Sequence, residues 1–235
     1  MVVRISTGSK KIDAILDGGI SAGDVTLVYG DPEAGKTTLA IQCAVNCAKK
    51  GLKTLFVDCD NTFSSRRLSQ IAREDADRVA AQIILMRPND FGEQTRAIDH
   101  LEDYLTTNFG LLVIDTISTL YRLRVAETPN KTFELNRELN EQTALLAQVA
   151  KTRKVAVLMT SQVRSAFNEG YTVEPVATRV LKFWADTIIA MHPAVESSGI
   201  VNAILEKIPQ SERTFRSLSL SLKIEESGIR DYAAR

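Results

Sequence analysis

Gly30-Asp-Pro-Glu-Ala-Gly-Lys-Thr37, followed by Thr38, decides the fold of this chain. The stretch fits G-x-x-x-x-G-K-[ST], a loop that cradles phosphate. Gly30 and Gly35 let the backbone bend tightly, so that successive N–H groups approach phosphate oxygens. Asp31, Pro32, Glu33 and Ala34 form the rest of the cradle. Lys36 adds a point charge for the β- and γ-phosphates, and the Thr37 hydroxyl suits Mg2+. Val25–Tyr29 reads as a buried strand just before the loop. Thr38–Ala48 reads as a helix just after it, closing at Lys49-Lys50-Gly51 with glycine in the C-terminal cap position. A plain glycine-rich turn would need neither Lys36 nor Thr37.

Outward from this loop, short apolar strands alternate with amphipathic helices, the pattern of a largely parallel sheet covered on both faces. Strands are expected at Thr54–Asp58, Gln82–Met86, Leu111–Asp115 and Val155–Thr160. Helices are expected from Arg66, from Phe91 to Thr107, and from Asn130 to Lys151. Residues 163–180 are polar and irregular. Strands then dominate: Thr187–Met191, Val201–Leu205 and Leu218–Ile224, the last two reading as an antiparallel hairpin joined through Pro209–Arg213. No linker-like stretch divides the 235 residues, which read as one α/β domain.

Composition narrows the function classes. Hydrophobic content of 44% and charged content of 25% are those of a soluble globular protein. No run approaches the roughly 18 apolar residues of a membrane span, and the N-terminus lacks the layout of a signal peptide. Cys43 and Cys47 share a helix face with no further ligands nearby, so packed, reduced thiols of a cytoplasmic protein are expected. A formal net charge of zero excludes a wholly basic nucleic-acid coat and leaves only a local patch.

Leu111-Leu-Val-Ile-Asp115 has the form of a Walker B segment, with Asp115 emerging at the carboxyl end of its strand, where open parallel sheets bind ligands. Its role is to hold Mg2+, through water. Phe56-Val-Asp-Cys-Asp-Asn61 puts two carboxylates, Asp58 and Asp60, at another strand end. Residues two apart on an extended chain face the same way, so either can serve the attacking water, or both can cap the following helix. Gln162 closes the strand Val155–Thr160 and adjoins the irregular segment. His100, His192, Trp184, Ser64 and Ser65 lack metal-spaced or nucleophilic partners and read as surface or packing residues.

These segments together resemble the RecA/RadA recombinase core, over essentially the whole chain and in order. Ile5–Ile20 resembles its opening, Phe56–Phe63 with Arg67-Leu68 the segment carrying the catalytic acid, and Val113–Arg122 its Walker B and first DNA-facing loop. Met159–Val163 resembles its sensor strand, and Glu226–Asp231 the end of the core. The likeness is strongest to an archaeal paralogue made of the ATPase core alone. The resemblance implies a RecA-like P-loop NTPase core: a mostly parallel twisted sheet, helices on both faces, and a C-terminal antiparallel hairpin. It implies ATP and Mg2+ as ligands, Lys36, Thr37 and Asp115 in their phosphate and metal roles, Gln162 as γ-phosphate sensor, and Arg67 stacked on adenine. Residues 122–131 and 163–179 correspond to two loops along a DNA path. Arg122, Arg124, Lys131, Arg164, Arg179 and Lys182 are its candidate basic contacts. Phe167 and Tyr171 are candidates for stacking on unpaired bases.

Three departures shape the expected activity. The family's catalytic position is usually Glu; here it is Asp60, shorter by one methylene, so hydrolysis is expected to be weak. Only Met1–Arg4 precede the core, where true recombinases carry a helical DNA-binding domain and a linker that plugs into the neighbour. Long filaments are therefore not expected, whereas a homodimer or docking onto a RadA-type recombinase is. Neutral charge makes single-stranded DNA binding depend on the loop arginines, which could instead pair with Glu127, Glu169 and Glu174. The resulting reading is an accessory protein of homologous recombination and DNA repair that does not drive strand exchange alone. The rival is a signalling or clock-type ATPase of the same fold acting on a protein; a small-molecule kinase lacks an acceptor-pocket signature.

Overall fold

The computed structural model describes residues 2–106, 108–166, 172–175, 177–194, 199–209 and 217–232, the side chains of 164–166 and 172–175 excepted. β1 (Arg4–Ile5) pairs antiparallel with β2 (Ile20–Ser21) around α1 (Lys10–Ile15), whose cap Ser9 accepts from the Ile12 N–H at 3.1 Å. β3 (Val25–Gly30), buried along its length, leads through the P-loop into α2 (Lys36–Lys49). β4 (Lys53–Asp58), α3 (Ser65–Ala72), α4 (Ala76–Ala80) and β5 (Ile83–Met86) follow. α5 (Phe91–Asp99) starts at Asp90, whose carboxylate accepts from the Glu93 N–H while Glu93 accepts from the Asn89 N–H, both at 2.8 Å. This mutual satisfaction of free N–H groups fixes where the helix begins. Then come α6 (Leu101–Tyr104), β6 (Phe109–Asp115), α7 (Thr119–Glu127), α8 (Thr132–Arg153), β7 (Ala156–Ala166), β8 (Thr172–Pro175), α9 (Thr178–Trp184), β9 (Thr187–Pro193), β10 (Ile200–Lys207), β11 (Leu218–Glu225) and β12 (Gly228–Asp231).

The main sheet runs β12-β11-β10-β9-β3-β7-β6-β4-β5. From β9 to β5 every pairing is parallel; β9, β10, β11 and β12 are joined antiparallel. The register sets the site. Gly30 lies opposite Gln162, and Asp58 opposite Asp115, so four motif positions reach the same carboxyl edge.

Alternation along the strands feeds two cores. Val28, Phe56, Val113 and Leu158 pack with Leu39, Ala40 and Cys43 of α2 on one face. Leu27, Leu55, Leu112 and Ile114 pack with Leu139 and Leu146 of α8 on the other. Each fully buried Leu or Ile stabilises by about 1.5–3 kcal/mol. The C-terminal strands are tied to the P-loop helix: Gln42 of α2 accepts from the Ile229 N–H at 2.5 Å and donates to its carbonyl at 3.0 Å.

The mostly parallel sheet, its helices and the β10–β11 antiparallel pair agree with the sequence reading; residues 210–216 of their connection lie outside the described residues. Three expectations need correction. The helix from Phe91 is interrupted at His100 and stops at Tyr104, though Leu101 and Leu105 remain buried as their spacing requires. The first expected loop is helix through Glu127, then a 3-10 turn at Pro129–Lys131. Buried Leu120 and Tyr121 anchor that helix, and the Tyr121 hydroxyl donates to Asn136 at 2.8 Å. Within the polar segment after Gln162, β7 continues to Ala166 and pairs antiparallel with β8 as a ribbon. α9 then starts at Thr178. Backbone pairing needs no apolar alternation, which is why polarity concealed the ribbon.

Candidate nucleotide site

The P-loop geometry follows from its two glycines. Gly30 has φ 154° and lies so close to β9 that a Cβ there would sit 1.8 Å from the Met191 carbonyl oxygen. Gly35, at φ 87°, is the N-cap of α2 and supplies no side-chain acceptor. The first N–H groups of a 14-residue helix are thereby left for an anion, with the helix dipole favouring negative charge. Lys36 is buried, and its ammonium donates to the carbonyls of Gly30 at 2.9 Å and Asp31 at 2.6 Å. Burial pushes its pKa down, opposed by Asp115, Asp31 and Asp60. Behind the loop, His192 Nδ1 lies 2.8 Å from the Asp31 carboxylate. His192, read from sequence as a surface or packing residue, thus braces the cradle; no sequence spacing signals that contact.

Asp115 is fully buried at the end of β6. One oxygen accepts from the Thr160 hydroxyl; the other, Oδ2, is buried without a hydrogen-bond partner. Burial pushes its pKa up to about 6, with Asp60 and Asp58 adding to the rise and the Thr160 and Thr37 hydroxyls opposing it. An orphaned buried carboxylate oxygen beside a P-loop hydroxyl fits Mg2+, a hard cation that takes oxygen ligands and keeps several waters.

The two candidate carboxylates separate. Asp58 is fully buried and occupied: it accepts from the Thr62 and Phe63 N–H groups at 3.0 and 3.1 Å and from Arg87 Nε at 3.2 Å. Asp60 lines a cavity of about 380 Å³ shared with Lys36, Thr37, Thr116, Gln162 and Ile224. Gln162 Nε2 donates to Asp60 Oδ2 at 3.3 Å, and its Oε1 accepts from Arg122 at 2.5 Å. Ile224 of β11, unmarked in the sequence, closes the side of the cavity nearest Gly35. Arg67 donates to the carbonyls of Glu225 at 2.7 Å and Glu226 at 3.0 Å, so the β11–β12 turn fixes the plane of its guanidinium.

The candidate basic contacts divide likewise. Arg122 and Arg179 are exposed, on α7 and in the first turn of α9. Arg124 pairs with Glu127 at 3.2 Å. Arg124 and Lys131 line a cavity of about 590 Å³ that also holds Glu127, Glu134 and Glu138. Lys182 is held by Glu206 at 2.7 Å and the Tyr29 hydroxyl at 3.3 Å. Arg164 lies on β7; its side chain, Phe167 and Tyr171 lie outside the described residues. Trp184 packs as expected, donating to Asn140 at 2.9 Å. Beside it, Phe183 is 72% exposed, an aromatic that the sequence reading passed over. Among the described residues no His/Cys/Asp/Glu group forms a metal cluster, Cys43, Cys47 and Cys59 are free and buried, and no helix is long and apolar enough to cross a membrane.

The Rad51 family model matches residues 1–231. The chain belongs to the Rad51 family. It is 30% identical over 218 residues to the DNA repair and recombination protein RadB of Methanococcus maripaludis, covering 93% of this chain and 96% of that one. It is 35% identical over 193 residues to RadB of Methanocaldococcus jannaschii, covering 82% and 88%. A crystal structure of the RadB recombinase aligns with TM-score 0.81 at 31% identity, across 97% of this chain and 100% of that chain. The fold is the RecA-like core of the Rad51 family, as the motifs implied.

Proposed function

We propose that this Rad51-family chain is an ATP- and DNA-binding protein of recombination and repair, in which ATP acts chiefly as a conformational ligand and is hydrolysed weakly. Recombination and repair follow from the family and from RadB relatives that align over most of their length. The observation that carries the rest is the bridge made by Gln162, which touches Asp60 in the P-loop cavity and Arg122 on the exposed helix α7.

The P-loop N–H groups and Lys36 bind the phosphates, and Arg67 offers its guanidinium face to the base. Mg2+, held by Thr37 and through water by Asp115, would draw charge from the β- and γ-phosphates. Asp60 accepts a proton from the attacking water. Its side chain is about 1.5 Å shorter than the glutamate usual in the family, which supports slow turnover. Single-stranded DNA is the polymer we assign to exposed Arg122 and Arg179, with exposed Phe183 as a stacking surface. A RadA-type recombinase is the assigned protein partner.

Gln162→Ala tests the coupling. ATP should still bind, while DNA affinity should no longer change when ATP is added. An ATP response equal to wild type would overturn the role of Gln162.

A further inference from the structure

We propose that Arg122 is a positioning residue that holds Gln162 against Asp60, and that a backbone phosphate of DNA releases this clasp by taking the guanidinium. The inference rests on the DNA-binding reading above and deepens it. It places the control of hydrolysis on α7 rather than on the ribbon that follows Gln162.

The amide of Gln162 is used at both ends. Oε1 accepts from Arg122 at 2.5 Å, and Nε2 donates to Asp60 Oδ2 at 3.3 Å. Each has one ionised partner, and the first, being much the shorter, is the stronger of the two. It fixes which way the amide points, because O and NH2 cannot exchange while the guanidinium, always charged, faces the oxygen. The NH2 end then covers a lone pair of Asp60. A lone pair so engaged competes with the proton of an attacking water for the same carboxylate oxygen.

The backbones on either side of the clasp are fixed. Ser118, the N-cap of α7, is buried; its hydroxyl accepts from the Gln162 N–H at 3.2 Å and from the Ser161 hydroxyl at 3.1 Å. The Ile117 N–H donates to the Thr160 carbonyl at 3.0 Å. Leu120 and Tyr121 bury the inner side of α7. The start of α7 is thus stapled to β7, and the side chains of Arg122 and Gln162 carry the freedom. Arg122 is exposed, so a phosphate can approach it from solvent. Phosphate is also the better partner: it carries full negative charge and accepts two parallel N–H bonds, whereas the amide oxygen is neutral.

Release has a defined chemical consequence. With Arg122 on DNA, the amide can turn away and Asp60 Oδ2 is open to water. The water oxygen forms a bond to the γ-phosphorus, and the bridging oxygen leaves with ADP. The water proton passes to Asp60 and then to solvent. Without DNA the same water meets a carboxylate already engaged by Gln162.

The test is steady-state ATP hydrolysis with and without an oligo(dT) strand, alongside anisotropy of the same strand. Wild type, Arg122→Ala and Arg122→Lys are compared. Arg122→Ala should raise DNA-free kcat about tenfold, the scale of freeing Asp60 from one hydrogen bond, with KM for ATP unchanged. Further stimulation by DNA should fall below about twofold in this variant, whereas wild type should be stimulated about tenfold. Arg122→Lys keeps the charge without the fork and should restore part of the repression. If wild type binds the strand but Arg122→Ala keeps wild-type kcat and full stimulation, the clasp is overturned and the functional reading stands. If wild type does not bind the strand, the functional reading and the DNA trigger fall together.

Discussion

Asp58 and Asp60 are separated by one residue, yet only Asp60 lines the P-loop cavity. β4 ends at Asp58 and the chain bends over the next two residues, so Asp60 lies beyond the extended strand that would have kept both carboxylates on one side. Asp58 is consumed in closing that turn, by two backbone N–H groups and Arg87.

The two positions should therefore fail differently. Asp60→Ala should lower ATP hydrolysis by about a hundredfold with little change in thermal stability. Asp60→Glu, which restores the missing methylene, should raise turnover about tenfold or more; an unchanged rate would remove chain length as the cause of slow hydrolysis. Asp58→Ala leaves Arg87 and two N–H groups unpaired and should cost about 2–4 kcal/mol of stability, read by urea unfolding.

Asp115 makes the metal-free protein sensitive to pH. Its folded pKa, about 6, lies above the ordinary 3.8, so the folded state binds the proton more tightly. That contribution is present below 3.8 and is lost as pH rises through about 6. Up to about 3 kcal/mol is at stake. In EDTA, Asp115→Asn should flatten this loss between pH 4 and 6.5 in thermal melts and raise stability at pH 7; in a separate series without EDTA it should abolish the added stability that Mg·ATP gives wild type.

Gln42 joins the P-loop helix to the last strand through two hydrogen bonds to Ile229. It is buried, so Gln42→Ala strands an N–H and a carbonyl at once. A loss of about 2–4 kcal/mol is expected, with β11 and β12 the first strands to gain hydrogen exchange. Protection equal to wild type in those strands would show that other contacts hold the hairpin.

The thiols should be silent. Burial pushes the pKa of Cys43, Cys47 and Cys59 up, leaving little thiolate at neutral pH. An aromatic disulfide reagent should label none of the three within minutes in native protein, and all three in guanidinium; fast native labelling would place a cysteine at the surface.

The parallel sheet and the P-loop were legible because both are written locally. Buried strands show as apolar runs, and Gly30, Gly35, Lys36 and Thr37 each answer one need of a phosphate. What stayed hidden depends on partners distant in sequence. His192 meets Asp31 across 161 positions, and Lys182 is taken by Glu206 across 24. Beyond Leu120 and Tyr121 the helix at 119–127 has no buried residue, and the family resemblance assigned 122–131 to a loop, so the end of that helix was not legible. The ribbon β7–β8 was missed because its pairing is made by backbone atoms, which composition does not report.

The most direct measurement is anisotropy of a labelled single-stranded oligonucleotide across a salt series, with and without Mg·ATP. Binding should weaken steeply as salt rises, because Arg122 and Arg179 would displace counterions from phosphates, and it should shift when ATP is added. No binding even at low salt, with ATP binding intact, would contradict the DNA reading and move the search to a protein ligand.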